Sequence, residues 1–155
     1  MGRPHIEFLQ SQSLEWEPEP LLPGAWSRTL SRDPETGACT QMTTMEPGLH
    51  FEKGSRIAAD EEFYVLSGCY YLNGYEYAAG CYGYYPAGHP RAQAYSSEGA
   101  VLLRFFDAEP LVAPLVGMRV EEARRIHLAR RADPVAREGE RRPPFGPRER
   151  NDARR

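Results

Sequence analysis

Long apolar runs are missing from this chain of 155 residues. None approaches the roughly 20 residues that a membrane-spanning helix needs, so no membrane contact is expected. Lysine is almost missing too. Lys53 is one of nineteen basic residues and the other eighteen are arginine; coding bias in a GC-rich genome suffices to explain that. Cysteine is scarce and odd in number: Cys39, Cys69 and Cys81, with no C-x-x-C spacing. That excludes a zinc ribbon or a dithiol redox motif. Together with the lack of an apolar leader it argues against a secreted disulfide framework. Each cysteine is expected to be a small buried hydrophobe. No strong basic excess exists, since the net charge is −3, and nucleic-acid binding is not expected. A cytoplasmic protein with free thiols is the expectation. The length fits one domain.

What is there is β-rich. Residues 5–9 alternate weakly and predict an edge strand. Residues 17–24 hold three prolines and read as an extended connector. Trp16 and Trp26 flank it and are expected to cap one end of the fold or fill a subunit contact. Asp33-Pro34 and Gly37 mark a turn, and the alternating run 39–45 after it reads as a strand. Residues 69–72 and 75–77 flank Asn73-Gly74, the strongest short hairpin signal, a type I′ turn. Residues 101–106 read as a buried strand by length and composition. Residues 120–131 read as a short helix. Beyond it, residues 131–155 carry eight arginines and five acids with few large apolar groups. Such a segment buries too little to offset its ordering entropy, and a solvated disordered tail is expected.

Two stretches organise the rest. One is Asp60-Glu61-Glu62-Phe63-Tyr64-Val65-Leu66-Ser67-Gly68, with a glutamate leading into an aromatic and β-branched run closed by glycine. The other is Gly80-Cys81-Tyr82-Gly83-Tyr84-Tyr85-Pro86-Ala87-Gly88-His89-Pro90-Arg91. The glutamate six residues before Gly68, and the spacing of Gly80, Pro86 and Gly88, resemble the two motifs of the cupin superfamily over residues 40–107. The resemblance implies an all-β fold, a single-domain jelly-roll β-barrel of antiparallel sheets. The expected layout is an N-terminal arm with edge strands over 1–37, the barrel over 38–110, a crossing segment and helix over 111–131, and the tail over 132–155.

The resemblance also implies a place for a metal, held by two histidines, the motif-1 glutamate and the motif-2 histidine. Those positions are Ser55, Ile57, Glu61 and Arg91 here, so only the glutamate is kept. No metal and no other cofactor is expected. Side chains alternate along a strand, which turns Glu61 inward with Phe63 and Val65, and Tyr64 and Leu66 outward. Arg91 then places a cation opposite Glu61, and an ion pair is expected where the metal would sit. Candidate ligand contacts are Arg91, Glu61, Ser55, Ile57 and some of Tyr70, Tyr82 and Tyr84. Candidate acid–base groups are Glu61 and His89. His50, Glu61 and His89 form the alternative, shifted metal set.

Three functions compete. The favoured one is a metal-free cupin that binds a small organic acid, as a sensor or carrier. The second is an isomerase, lyase or cyclase using Glu61, His89 or tyrosines. The third is a metal-dependent oxygenase with shifted ligands. A homodimer joined through sheet edges or the face carrying Tyr64 and Leu66 is expected, because that face is too apolar to leave wet.

Overall fold

The computed structural model describes residues 2–115 and 119–131, with side chains to residue 125. Residue contacts divide the chain after Arg124, and the strands all lie before that point. Eleven strands follow one another: β1 (Glu17–Pro18), β2 (Trp26–Arg32), β3 (Cys39–Met45), β4 (Leu49–Phe51), β5 (Ser55–Ile57), β6 (Glu61–Leu72), β7 (Tyr75–Ala78), β8 (Tyr82–Tyr85), β9 (Ala94–Ser96), β10 (Ala100–Phe106) and β11 (Val112–Pro114). The helix α1 (Val120–Arg131) lies where the sequence predicts one. Every strand pair is antiparallel. The result is the curled jelly-roll sheet of a cupin, with β1-β2-β3-β10-β6-β9-β4 in order and β7 and β8 also on β6.

Strand β6 is the spine. Its first half, from Glu61, pairs with β10 on one side and β8 on the other. Its second half pairs with β7 and β9. The change of partners falls at a bulge near Ser67-Gly68, where Gly68 takes φ +73°. A bulge bends a strand and increases its twist, and this one lets a single strand serve two layers. Along β6 the burial alternates strictly from Glu61 to Leu66. Phe63, Val65, Tyr70 and Leu72 face a core with Leu22, Met45, Tyr85 and Leu102.

The Asn73-Gly74 hairpin is present, with Asn73 at φ 52° and Gly74 at φ 76°, as a type I′ turn requires. Two expectations need correction. Residues 5–9 form no strand; Ile6 and Leu9 instead line a groove on the outer face with Leu30, Met42, Leu66 and Leu103. Strand β10 is buried on one face only, so Leu103 is half-buried and Phe105 exposed. Trp16 and Trp26 lie beside Thr44 and Glu46 in a shallow groove on the sheet's outer side. The disorder expected over 132–155 falls outside the described residues.

The corner at Gly68 sets a stability test. A methyl group there would be driven into the carbonyl oxygen of Gly99, on top of the unfavourable φ. Gly48 has a similar φ, +83°, but open space around it. Gly48→Ala should cost about 1 kcal/mol for the left-handed backbone alone. Gly68→Ala should cost about 1–3 kcal/mol more, because backbone must move. Urea denaturation of the two variants measures the difference.

Candidate functional site

Arg91 is held by its backbone from two sides. It forms a bridge with Ser55, the Arg91 N–H donating to Ser55 O at 2.9 Å and the Ser55 N–H to Arg91 O at 2.8 Å. On the other side Asn73, buried at the hairpin tip, grips the same segment. Its Nδ2 donates to Pro90 O at 2.9 Å, and its Oδ1 accepts from the Ala92 N–H at 2.8 Å. The turn residue that makes the hairpin therefore also fixes the residue that carries the cation. With the backbone set, the Arg91 guanidinium reaches Glu61 and lies 4.9 Å from the Tyr85 ring centroid.

Glu61 opens β6 with its side chain turned inward, 2% exposed. One carboxylate oxygen faces Arg91. The other accepts from Nε of Arg104 at 2.5 Å. Arg104 comes from β10, is 1% exposed, and was not foreseen from the sequence. The signal existed: 100, 102, 104 and 106 share a parity, so an inward Leu102 and Phe106 carry Arg104 inward between them. Arg104 reaches on to Glu19 at 3.6 Å and to Thr43 at 3.5 Å. Glu19, also buried, accepts from the Leu21 N–H at 2.9 Å and from the Ser27 hydroxyl. No periodicity marks Glu19, which sits in the proline connector. The interior thus holds two carboxylates and two guanidinium groups in one chain of contacts, Arg91–Glu61–Arg104–Glu19.

Bare charges in a protein interior are costly, and a well-paired cluster about breaks even against apolar packing. Burial pushes the Glu61 carboxyl up, and Arg104 and Arg91 together more than reverse that and hold it below the ordinary carboxylate value. Burial pulls Arg104 down, while Glu61 and Glu19 raise it further, so it stays charged. The Tyr70 hydroxyl is pushed up by burial and by Glu61 and stays neutral.

A cavity of about 10 Å³ adjoins the cluster, lined in part by Ser55, Ile57, Tyr70, Arg91 and Arg104. That is room for about one water. Leu21 and Leu22, both buried, line it as well. Ser55, Ile57, Glu61, Arg91 and Tyr70 are brought together, as the sequence suggests. Tyr82 and Tyr84 are not. The side chains of β8 alternate, so Gly83 and Tyr85 turn inward and leave Tyr82 57% exposed on the outer face. The Tyr84 hydroxyl donates to Asp60 at 2.8 Å. Tyr85, beside Phe63 and Arg91, takes the interior place.

The histidines also separate. His50 lies on the surface strand β4, its Nε2 3.0 Å from Gln93 Nε2. His89 is buried with its ring edge-on to Tyr85, centroids 5.1 Å apart. Among the described residues no three His, Cys, Asp or Glu side chains converge as metal ligands, and the set His50, Glu61 and His89 is not assembled. The four cupin positions do not fit a divalent metal either. Ile57 has no donor atom, Arg91 is a cation, and both Glu61 oxygens face guanidinium nitrogens.

Comparison with known proteins agrees with this fold. Residues 5–109 match the model of the family described as the ChrR cupin-like domain. No curated protein matches the chain. Among solved structures, a Nostoc punctiforme protein proposed to be a dioxygenase superposes with TM-score 0.63 at 18% identity, over 71% of this chain and 40% of that one. The chain thus spans well under half of that protein. An acetylacetone dioxygenase from Acinetobacter johnsonii gives TM-score 0.57 at 19% identity, over 81% and 93% of the two chains. The polyketide cyclase RemF from Streptomyces resistomycificus gives 0.57 at 16%, over 79% and 94%. At these identities the likeness is one of fold.

The shared carboxylate gives ordered expectations for stability. Arg104→Ala takes a partner from both Glu61 and Glu19 and should cost about 3–5 kcal/mol. Arg91→Ala leaves Glu61 on Arg104 and should cost less. Because the folded Glu61 carboxyl lies below its ordinary value of 4.5, its contribution is complete above that pH and lost as pH falls through the folded value. Glu61→Gln should flatten this acid limb in a series of denaturation curves at falling pH.

Proposed function

The chain belongs to the ChrR cupin-like domain family, and from that premise we propose that it is a metal-independent cupin binding a small organic carboxylate on Arg91. The observation that carries this reading is the Arg91 Nε–H, buried at the cavity with no hydrogen-bond acceptor. Leaving a buried donor of a charged group unmet is expensive. A guanidinium offers five N–H donors in a planar fork, and Glu61 engages one edge of it. A carboxylate is the group whose shape and charge suit the remainder. Ser55 and Tyr70 supply further polar contact, and Ile57, Leu72 and Ala94 an apolar wall.

A role as sensor or carrier suits this site better than acid–base chemistry. Glu61 is engaged by two cations, which favour its ionised form and occupy both oxygens, so it is poorly placed to take a proton from a substrate. We further propose a homodimer through the outer face on which Tyr64, Leu66, Tyr82 and Phe105 are exposed. Sedimentation at tens of micromolar should give the mass of two chains, and Leu66→Glu should shift it to one.

The ligand is tested by thermal shift with aliphatic and aromatic acids beside their amides. An acid at a hundred times its Kd stabilises by about 2.7 kcal/mol, and the matched amide should give almost nothing. Arg91→Lys should keep most of the parent stability and lose most of the acid's effect, because a lysine cannot form the planar double contact. Equal stabilisation by acid and amide would reject the carboxylate.

A further inference from the structure

Residues 19–25 cross the surface with Pro20, Pro23 and Gly24 exposed, yet insert Leu21 and Leu22 into the barrel. The two leucines enter different apolar clusters. Leu22 joins Phe63, Val65 and Leu102; Leu21 joins Cys39, Ile57 and Phe106. Both line the cavity beside Arg91. Few backbone bonds hold this turn: the Ala25 N–H donates to Leu22 O at 2.9 Å and the Glu19 N–H to Ala25 O at 3.0 Å. Its side-chain tie is Glu19, which accepts from the Leu21 N–H and faces Arg104.

We propose that this turn is a displaceable plug latched by Glu19, and that the ligand of Arg91 is a carboxylate whose small apolar body, about the size of one benzene ring, takes the place of the plug's leucines. The proposal rests on the reading of Arg91 as a carboxylate anchor. Size follows from volume. A cavity of about 10 Å³ admits no organic acid, whereas a cavity of ~150 Å³ lined by leucine, isoleucine and phenylalanine binds benzene. Withdrawing Leu21 or Leu22 therefore opens room for one ring or a short chain, bounded by Phe51, Ile57, Leu72 and Ala94, with the guanidinium at one end. Each remaining wall is tied by backbone pairing, β4 to β9, β5 to β11 and to Arg91, and β6 and β10 on both sides, while the turn belongs to no strand. The latch is linked to the anchor by the ion chain. An anion on the free edge of Arg91 shares that guanidinium's charge with Glu61 and throws the Glu61 carboxylate more onto Arg104. The Arg104–Glu19 contact, at 3.6 Å the longest of the chain, is the one that yields.

Hydrogen exchange on the full chain, with benzoate as probe and benzamide as control, tests this. Glu19→Gln should raise exchange at the Leu21 and Ala25 amides at least tenfold while the amides of β3 and β10 stay protected. Saturating benzoate should do the same in the parent protein. In stopped-flow measurements Leu22→Ala, which removes half of the plug without touching an ion pair, should bind benzoate at least tenfold faster. Unchanged protection of residues 19–25 with benzoate bound, together with an unchanged rate in Leu22→Ala, would overturn the plug and leave the Arg91 anchor standing. Absence of any benzoate binding in parent and Leu22→Ala alike would overturn the ligand. The Glu19→Gln exchange still judges the latch alone, with no change at Leu21 and Ala25 rejecting it.

Discussion

A carboxylate between two guanidinium groups governs the interior of this barrel. Glu61 faces Arg91 on one side and Arg104 on the other, all three nearly out of water. None of them is tolerable alone, and each makes the others tolerable. The scaffold around them is arranged accordingly. Strand β6 starts at Glu61, β10 carries Arg104 across from it, and the Ser55 bridge and Asn73 hold Arg91 in reach. Glu19 then balances the second guanidinium. Where a metal-binding cupin draws ligands together around a cation it must capture, this chain builds its cations in, on arginine side chains that need no capture.

The fold was legible because local signals were strong and consistent. The Asn73-Gly74 turn, the alternation along β6 and the glycine and proline spacings all describe backbone, and backbone geometry is written locally in the sequence. The pairing of Glu61 with Arg91 was legible for a different reason: both stand at positions that the cupin motifs bring together. Arg104 and Glu19 had no such position. Arg104 hides in an apolar run whose burial was read for the strand as a whole, and only its parity distinguishes an inward arginine from a surface one. Glu19 stands among prolines, where no period applies, and its partner is 85 residues away in sequence. Tyr82 and Tyr84 show the opposite error. Tyrosine is amphipathic enough to sit on either face, and Gly83, too small to line anything, was the residue that revealed which face was inner.

The match to the ChrR cupin-like domain places this chain among cupins without carrying a chemistry with it. The solved neighbours named as a dioxygenase and a polyketide cyclase share the curl of the sheet at under 20% identity. At the four positions that the cupin motifs assign to a metal, this chain keeps Glu61 and carries Ser55, Ile57 and Arg91 at the others.

The grip of Asn73 on residues 90 and 92 has a consequence for engineering. Hairpin tips are ordinarily where a chain accepts tags, insertions and permuted ends, since nothing else depends on them. Here the tip is a structural clasp. Asp-Gly would close the same turn but lose the donor to Pro90, and Gly-Gly would lose both that donor and the acceptor for the Ala92 N–H. A graft at this loop would therefore preserve the hairpin and loosen a strap on the far side of the barrel wall. The exposed glycine at residue 48, with empty space around it, is the better place to open the chain.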